Sequence, residues 1–527
     1  MLRSHLAPLL ASALLAGAAA AQDPFAPSQR WLVEAGTADW APEQVAFAGD
    51  ESFVWAAVRG AQESLLLIDT VSSGAGEVRA TVPPLAQQFR APDIAAGTRT
   101  DRVFALRQVS TPSIFRRTPL VSAFDPLSAS GGGVLPDAWT FDLGVRVNGP
   151  TRLACDDRGE RVVAAVWNDV TAEVRVVVLD GTDGALLGQA DLPAYGLNAL
   201  AVSADGGRIA LSAGTTLFVL DSSAAIVHTQ PLALATQAIG LSSDGGTVAF
   251  GDFSAVRVLT EVPGIGFLST GEVTGGASEI PTRLDLSGDG TLAAVGWWDY
   301  STGRSARLEI FDLLFRFPMA SLDLPGLPGA SQNLVTAAEF SADGSRAAFS
   351  TWGNGSDAEV VLLEVGGFGP ALVVDTPGSV YDLALDSTGT RFALATKDVH
   401  ASTSSARGDV RFVDSGERQI QVLETPRLGG ALRVAARRPG ANIGWFLMGA
   451  RSAQPALFPG VEGALLLQRD RLQIQVGLPD AAGRMDLVVP LSGSAALRGT
   501  QLHLQGAFRS GGGIALTRNL VSPVLLD

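Results

Sequence analysis

Eight times along the chain one short pattern returns: an apolar strand, a small-Asp-Gly turn, and a second apolar strand rich in Ala. A loop follows, then a third strand that ends in Asp. The clearest turns are Ser203-Ala204-Asp205-Gly206, Ser242-Ser243-Asp244-Gly245, Ser287-Gly288-Asp289-Gly290 and Ser341-Ala342-Asp343-Gly344. Weaker copies stand at Ala48-Gly49-Asp50, Ala95-Ala96-Gly97, Asp157-Arg158-Gly159 and Ser387-Thr388-Gly389. Stretches such as Leu65-Leu66-Leu67-Ile68-Asp69 and Val176-Val177-Val178-Leu179-Asp180 supply the third strands. A repeat of roughly 40–50 residues with several short strands per unit is the signature of a β-propeller. The expected fold class is therefore all-β. Eight units give eight blades, or seven if one weak copy is an insertion.

Within a unit the strands can be read directly. In the fourth, Leu197–Val202 is the inner strand, Arg208–Ser212 the second, Thr216–Asp221 the third and Ile226–Pro231 the outer one. Their near-continuous apolar runs suit sheets covered on both faces by neighbouring blades. The Gly- and Ser-rich stretch Ser128 to Gly133 reads as an outer-loop insertion. No helical periodicity of useful length appears.

The third-strand endings Asp69, Asp125, Asp180, Asp221, Asp312 and Asp414, with Thr260 and Glu364 as departures, resemble those of propellers with degenerate WD40-like, YVTN-like or quinoprotein-like repeats. The resemblance covers residues 44–426 and implies a fold but not a function, because this fold hosts binding scaffolds and enzymes alike. The Trp-Asp pair of WD40 repeats is missing at the strand ends. Trp298-Asp299 lies one loop too early.

From Arg427 the pattern changes to shorter alternating strands, such as Arg471–Val476, Met485–Pro490, Gln501–Phe508 and Leu520–Leu526. Residues 427–527 resemble the small all-β domain at the C-termini of many large bacterial secreted proteins, a β-sandwich-like unit. The matching stretches are Pro459 to Leu467, Pro490 to Gly499 with Gln505, and Leu516-Thr517-Arg518-Asn519-Leu520.

Residues 1–21 read as a secretory signal, with Arg3, an apolar run from Leu6 to Leu15 and small residues Ala18 to Ala21. Residues 22–43 then form a Pro-rich lead-in. A secreted, periplasmic or cell-surface protein is expected, with no membrane-spanning segment after signal removal. Cys155 is the only cysteine, so an intrachain disulfide is excluded, and its place in Leu153-Ala154-Cys155 reads as a buried small residue.

Charge is unevenly spread. Residues 427–527 carry 11 Arg against 5 acids, whereas residues 22–426 carry 26 basic against 48 acidic groups. The basic tail either docks on the acidic body or meets an anionic surface; nucleic acid is disfavoured by the acidic body and by export.

The Asp and Gly of the clear turns (Asp205, Gly206, Asp244, Gly245, Asp289, Gly290, Asp343 and Gly344) are read as structural. Asp accepts backbone N–H bonds there and Gly takes positive φ. Candidate binding residues lie in the loops after the second strands, which a propeller places on one face. They are Trp167 and Asp169; Trp297, Trp298, Asp299 and Tyr300; Trp352 and Asn354; and Lys397, Asp398 and His400, with Asp252-Phe253 in the fifth unit. Lys397 is the only lysine. Aromatics beside carboxylates and amides suit a protein or polysaccharide partner, since flat apolar faces bind while polar groups orient. The competing reading makes these Trp residues wedges between blades.

Signals for catalysis are sparse. Beyond residue 21 only His228, His400 and His503 occur, and no metalloprotease, nucleophile-elbow or dinucleotide motif is present. No catalytic residue, metal site or cofactor is assigned. A structural Ca²⁺ on loop carboxylates is compatible with an exported acidic protein. The expected function is a non-catalytic binding or scaffold propeller. The alternative is an enzyme of the lactonase or quinoprotein type using carboxylates in the central channel.

Overall fold

A computed structural model describes residues 28–34, 41–48, 51, 53–59, 64–70, 78–85, 91–97, 100, 102–110, 116–128, 133–327, 332–367, 369–400, 407–415, 420–423, 426–438, 440–449, 451–456, 461–462, 465–468, 472–494, 502–510 and 513–517. The signal region, the strand read at Leu520–Leu526 and most of the Ser128–Gly133 insertion lie outside the described residues.

Eight four-stranded antiparallel sheets follow one another along the chain. They are numbered one to eight by their inner strands: Ala41–Phe47, Asp93–Ala96, Thr151–Cys155, Leu197–Val202, Ile239–Leu241, Glu279–Leu286, Val335–Phe340 and Val380–Leu385. Each inner strand packs beside the inner strands of the sheets before and after it, and that of sheet one packs beside that of sheet eight, so the row closes into a ring. The chain is a β-propeller. The fourth-unit strands fall where the sequence put them, the second running one residue further, to Ala213.

Two boundaries differ from those read in the sequence. The lead-in at 22–43 contains Ser28–Glu34, which pairs antiparallel with Gly408–Asp414 and completes sheet eight. The N-terminal strand thus closes the ring non-covalently, and the first inner strand already begins at Ala41 rather than Gln44. At the other end Ile420–Val422 pairs with Val434–Ala436, so the second domain begins before Arg427.

The continuous apolar runs have a direct explanation. Each of the eight junctions between adjacent sheets holds its own cluster of buried side chains. Second and third strands contribute to the clusters on both sides, so they are apolar on both faces. Fourth strands lie at the rim and alternate in exposure, as in Ile226–Pro231. Cys155, in the inner strand of sheet three, packs against the cluster between sheets two and three, and burial pushes its thiol far above the usual range.

The small-Asp-Gly turns share one geometry. In sheet five, Ser242 Oγ donates to Asp244 Oδ1 (2.7 Å) and accepts from Thr247 N (2.9 Å), while Gly246 N donates to Asp244 Oδ1 (2.9 Å). Gly245 sits at φ +69°, where an added Cβ would meet Arg208 at 2.5 Å. Asp205, Asp289 and Asp343 take the same bond from Ser203, Ser287 and Ser341, followed by Gly206, Gly290 and Gly344 at positive φ. Successive turns are also stitched together around the ring: Asp157 N to Ala204 O, Asp205 N to Ser243 O, Ser243 N to Gly288 O and Ala342 N to Ser387 O.

The C-terminal residues form a three-stranded sheet, a five-stranded sheet and a two-stranded ribbon. Leu432, Val434 and Met485 of the first meet Phe446, Leu504 and Phe508 of the second in one buried cluster, a small sandwich. Gln505 is buried, and its side-chain amide donates to Thr517 O (2.9 Å).

Candidate functional site

The antiparallel order puts the small-Asp-Gly turns on one face of the ring. The loops after the second strands share the other face with the segments that join one sheet to the next. That sharing is visible in the bonds Tyr300 N to Ser278 O and Trp352 N to Leu334 O. On this loop face a cleft of about 390 Å³ opens where sheets five, six and seven meet. Phe253, Trp298 and Trp352 stand along it with Leu234, Ile280 and Pro281, and Gln237, Thr282, Arg283 and Thr336 supply its polar lining.

Local irregularities build this lining. The inner strand of sheet six slips register between Pro281 and Arg283, and that of sheet seven between Val335 and Ala337. A bulge of this kind leaves one residue unpaired and re-aims its neighbours. Here the residues released are Thr282 and Thr336, both in the cleft. Thr282 Oγ1 donates to Gly296 O (3.2 Å), and Thr336 Oγ1 bonds Ser350 Oγ (2.8 Å). Phe253 stands half exposed at φ +56°, a left-handed conformation that a bulky side chain resists.

Deeper in the channel, inner-strand side chains latch each sheet to the next. Gln44 Oε1 accepts from Ile94 N (2.7 Å), Asp285 Oδ2 from Phe340 N (2.8 Å), Glu339 Oε2 from Leu385 N (2.8 Å) and Asp382 Oδ2 from Val45 N (3.0 Å). Arg152 Nε donates to Asn198 O (3.1 Å) and Arg283 Nε to Thr336 O (2.6 Å). Desolvation dominates the titration of the three acids. It raises Asp285 to about 6 and Asp382 to about 7, against the amides that hydrogen-bond to them and, for Asp382, the pull of Arg283. Glu339 is raised well above its ordinary value by burial and then by the charge of Asp382.

The loop residues singled out in the sequence divide. Trp298 and Trp352 line the cleft, half buried, and Trp298 Nε1 donates to Gly303 O (3.0 Å). Trp297 does not reach the loop face. It is fully buried between sheets five and six, edge-on to Phe311 at 6.5 Å, with Gly275 against its ring. Strand alternation is the reason: adjacent residues point to opposite faces of the sheet, so with Trp297 turned into the junction with sheet five, Trp298 takes the other face. Trp167 packs on the cluster between sheets three and four, in another part of the ring, and Asp169 is exposed beside it.

Asp299 and Asn354 organise their own loops. Asp299 accepts from Ser301 N (2.9 Å), Ser301 Oγ (2.7 Å) and Thr302 Oγ1 (3.1 Å). Burial opposes its ionisation, yet these bonds and the Ser278 hydroxyl hold it down to about 2. Asn354 is 4% exposed, and its Oδ1 accepts from Ser356 N (3.0 Å) and Asp357 N (2.9 Å). Tyr300 is half exposed, its hydroxyl donating to Ala277 O (3.3 Å).

Lys397 is 3% exposed, with Nζ 5.9 Å from the Tyr381 ring centroid and no hydrogen-bond partner among the described residues. Burial, then the charge of Arg59, lowers its pKa. Asp398 is exposed. His400 Nδ1 lies 3.5 Å from Oε1 of the buried Glu359. Burial, and then the nearby Asp375 charge, lift Glu359 to about 7 against the Thr376 amide. Among the described residues no group of three or more His, Cys, Asp or Glu is placed to hold a metal ion, and no helix is long and apolar enough to cross a membrane.

Phe253 had a signal in its loop position. Arg283, Gln237, Thr282 and Thr336 had none, because inner strands carry no motif that marks which residue a bulge will release.

No family model and no curated protein matches the chain. Among solved structures, the Dos1 propeller aligns with 74% of this chain and 95% of its own at 11% identity and a TM-score of 0.49. The β-propeller domain of Cps50 (Swd1) from Myceliophteria thermophila aligns with 74% of this chain and 99% of its own at 11% identity and a TM-score of 0.44. The propeller assignment made above rests on the closed ring of sheets.

Proposed function

We propose that the protein is an exported binding propeller that takes a protein or glycan partner on its loop face, at the cleft between sheets five, six and seven. The observation that carries this reading is the pairing of Trp298 and Trp352, both half buried, with the exposed ring of Phe253 around a concave space. Partly exposed aromatics in a cleft with a few oriented polar groups are what a binding site offers. Export is supported by the residue pattern of positions 1–21. The arginine excess of 427–527 supports a separate contact with an anionic surface.

The test is binding of envelope proteins and glycans to the exported chain, with Trp298→Ala and Trp352→Ala beside Trp167→Ala. Loss of about tenfold or more in affinity is expected for the first two and not for the third. A partner whose affinity ignores Trp298 and Trp352 but disappears on removal of 427–527 would reject the cleft.

A further inference from the structure

Ring closure does not explain the setting of one cleft residue, Arg283. It lines the cleft and uses Nε and Nη1 on uncharged acceptors: Thr336 O (2.6 Å), Thr282 O (2.7 Å) and Gln237 Oε1 (2.8 Å). Among the described residues it has no carboxylate at ion-pair distance and no hydrogen bond from Nη2. Burial lowers its pKa first, then the repelling charge of Arg152, against the attraction of Asp382. Arg152 in turn bonds only Asn198 O (3.1 Å) and Thr151 O (2.8 Å). Two arginines are thus held by backbone carbonyls at the channel, each without a paired anion. Some arginines at other sheet junctions do have one, Arg208 with Glu261 and Arg391 with Glu51, while Arg102 and Arg161 reach carbonyls as Arg283 does but do not line the cleft. A guanidinium fixed in place and lacking its counterion is prepared for an anion from outside.

We propose that the cleft binds the C-terminal end of a protein partner, with the free carboxylate on Arg283 and an apolar last residue among Trp298, Trp352 and Phe253. The inference rests on the cleft reading above and names its ligand chemistry. Two observations choose a peptide end over a glycan. The cleft's hydrogen-bonding groups are largely engaged already: Trp298 Nε1 on Gly303 O, Thr282 Oγ1 on Gly296 O, Thr336 Oγ1 on Ser350. Sugar hydroxyls would therefore be buried with few partners, at a cost in affinity. A polyanionic glycan also meets long-range repulsion from residues 22–426, whose acids outnumber their basic groups 48 to 26. A single carboxylate at a local positive spot escapes most of that repulsion at physiological salt.

The experiment is calorimetry at pH 7 with the full chain and three probes: N-acetyl-Ala-Ala-Phe as the free acid, the same peptide as its C-terminal amide, and methyl glucuronide. The free acid is expected to bind about tenfold or more tightly than the amide, the ratio expected of a charge-assisted contact. That comparison needs no variant, so it survives if Arg283→Met does not fold. Where Arg283→Met does fold, the acid-to-amide ratio falls towards one, and Arg283→Lys restores part of it. Equal binding of acid and amide, both lost in Trp298→Ala, overturns the carboxylate contact and leaves the cleft reading standing. Tighter binding of glucuronide than of the peptide acid overturns the choice of a protein end, as does no binding by the peptide acid. The cleft reading fails separately, when Trp298→Ala leaves the binding of every probe unchanged.

Discussion

Replacing Asp382 by Asn should stabilise the protein at pH 8 and do so by a smaller amount at pH 5. Asp382 lies in the channel lining, where its carboxyl titrates at about 7 instead of the usual 3.8 because the ring desolvates it. A carboxyl raised in the folded state binds its proton more tightly there than in the unfolded chain. Its contribution to stability is therefore fully present below the unfolded value near 3.8 and is lost as pH climbs through about 7. Integrating that linkage from pH 5 to pH 8 gives a loss of roughly 2 to 3 kcal/mol at 1.36 kcal/mol per pKa unit. The Asp382→Asn side chain keeps an oxygen for the Val45 amide, so the latch between sheets eight and one survives while the ionisable charge is gone. The neighbouring charges are Arg283, which favours the ionised form of Asp382, and Glu339, which opposes it. Guanidinium unfolding of both proteins at pH 5 and pH 8 gives the difference of differences, in which the contribution of Asp285 largely cancels, while that of Glu339, raised in part by the Asp382 charge, falls with the substitution. The substitution Asp382→Asn should close about 2 to 3 kcal/mol of the pH gap. A variant that loses at least as much stability at pH 8 as at pH 5 would refute the reasoning, since the carboxylate would then be favoured, not penalised, by the channel.

Four further outcomes follow from the same geometry. Trp297→Ala should cost about 3–5 kcal/mol in chemical unfolding because it empties a buried junction, whereas Trp298→Ala should cost far less and act on binding. Phe253→Asn should raise stability by about 1 kcal/mol by relieving the left-handed strain while weakening partner binding in the same titration. Gly245→Ala should lower the stability read from a denaturant midpoint by more than about 1 kcal/mol, since it adds a Cβ at positive φ against Arg208. Lys397→Met should hold or raise the unfolding midpoint at pH 7, because a buried ammonium with no hydrogen-bond partner is exchanged for an apolar chain of similar length.

The ring was legible because its parts are local. A turn such as Ser242-Ser243-Asp244-Gly245 needs one serine, one carboxylate and one glycine at fixed spacing, and four residues carry all of that information. The apolar runs likewise record burial on both faces, a property of each strand by itself. Ring closure was not legible, because Ser28–Glu34 meets Gly408–Asp414 across almost the whole propeller and its composition says nothing about its distant partner. For Trp297 and Trp298 the sequence left two readings open, a loop-face contact or a wedge between blades, since the answer depends on the phase of the strand at its junction. Arg283 was missed for a third reason: in sequence it is an ordinary charge inside an apolar strand, and only a bulge one residue earlier turns it towards the cleft.

These differences also bear on where a site can be built in such a ring. The turn face is tied together by bonds from turn to turn, and the channel by latches from sheet to sheet, so a change there propagates to a neighbour. The loops after the second strands bond mainly within themselves and to the adjoining inter-sheet segment: Asp299 serves Ser301 and Thr302 and takes the Ser278 hydroxyl, and Asn354 serves Ser356 and Asp357. Such loops can change composition without opening the ring. The cleft lies where this freedom meets the rigid channel lining, with Phe253, Trp298 and Trp352 supplied by the loop side and Arg283 by an inner strand. The aromatic wall is therefore the part that can be re-cut for a different apolar group. Arg283 cannot be moved without breaking its bond to sheet seven. On this argument, exchanging Phe253 or Trp352 for other apolar residues should shift which side chain the cleft prefers at the end of a peptide, while the preference for a free carboxylate stays fixed.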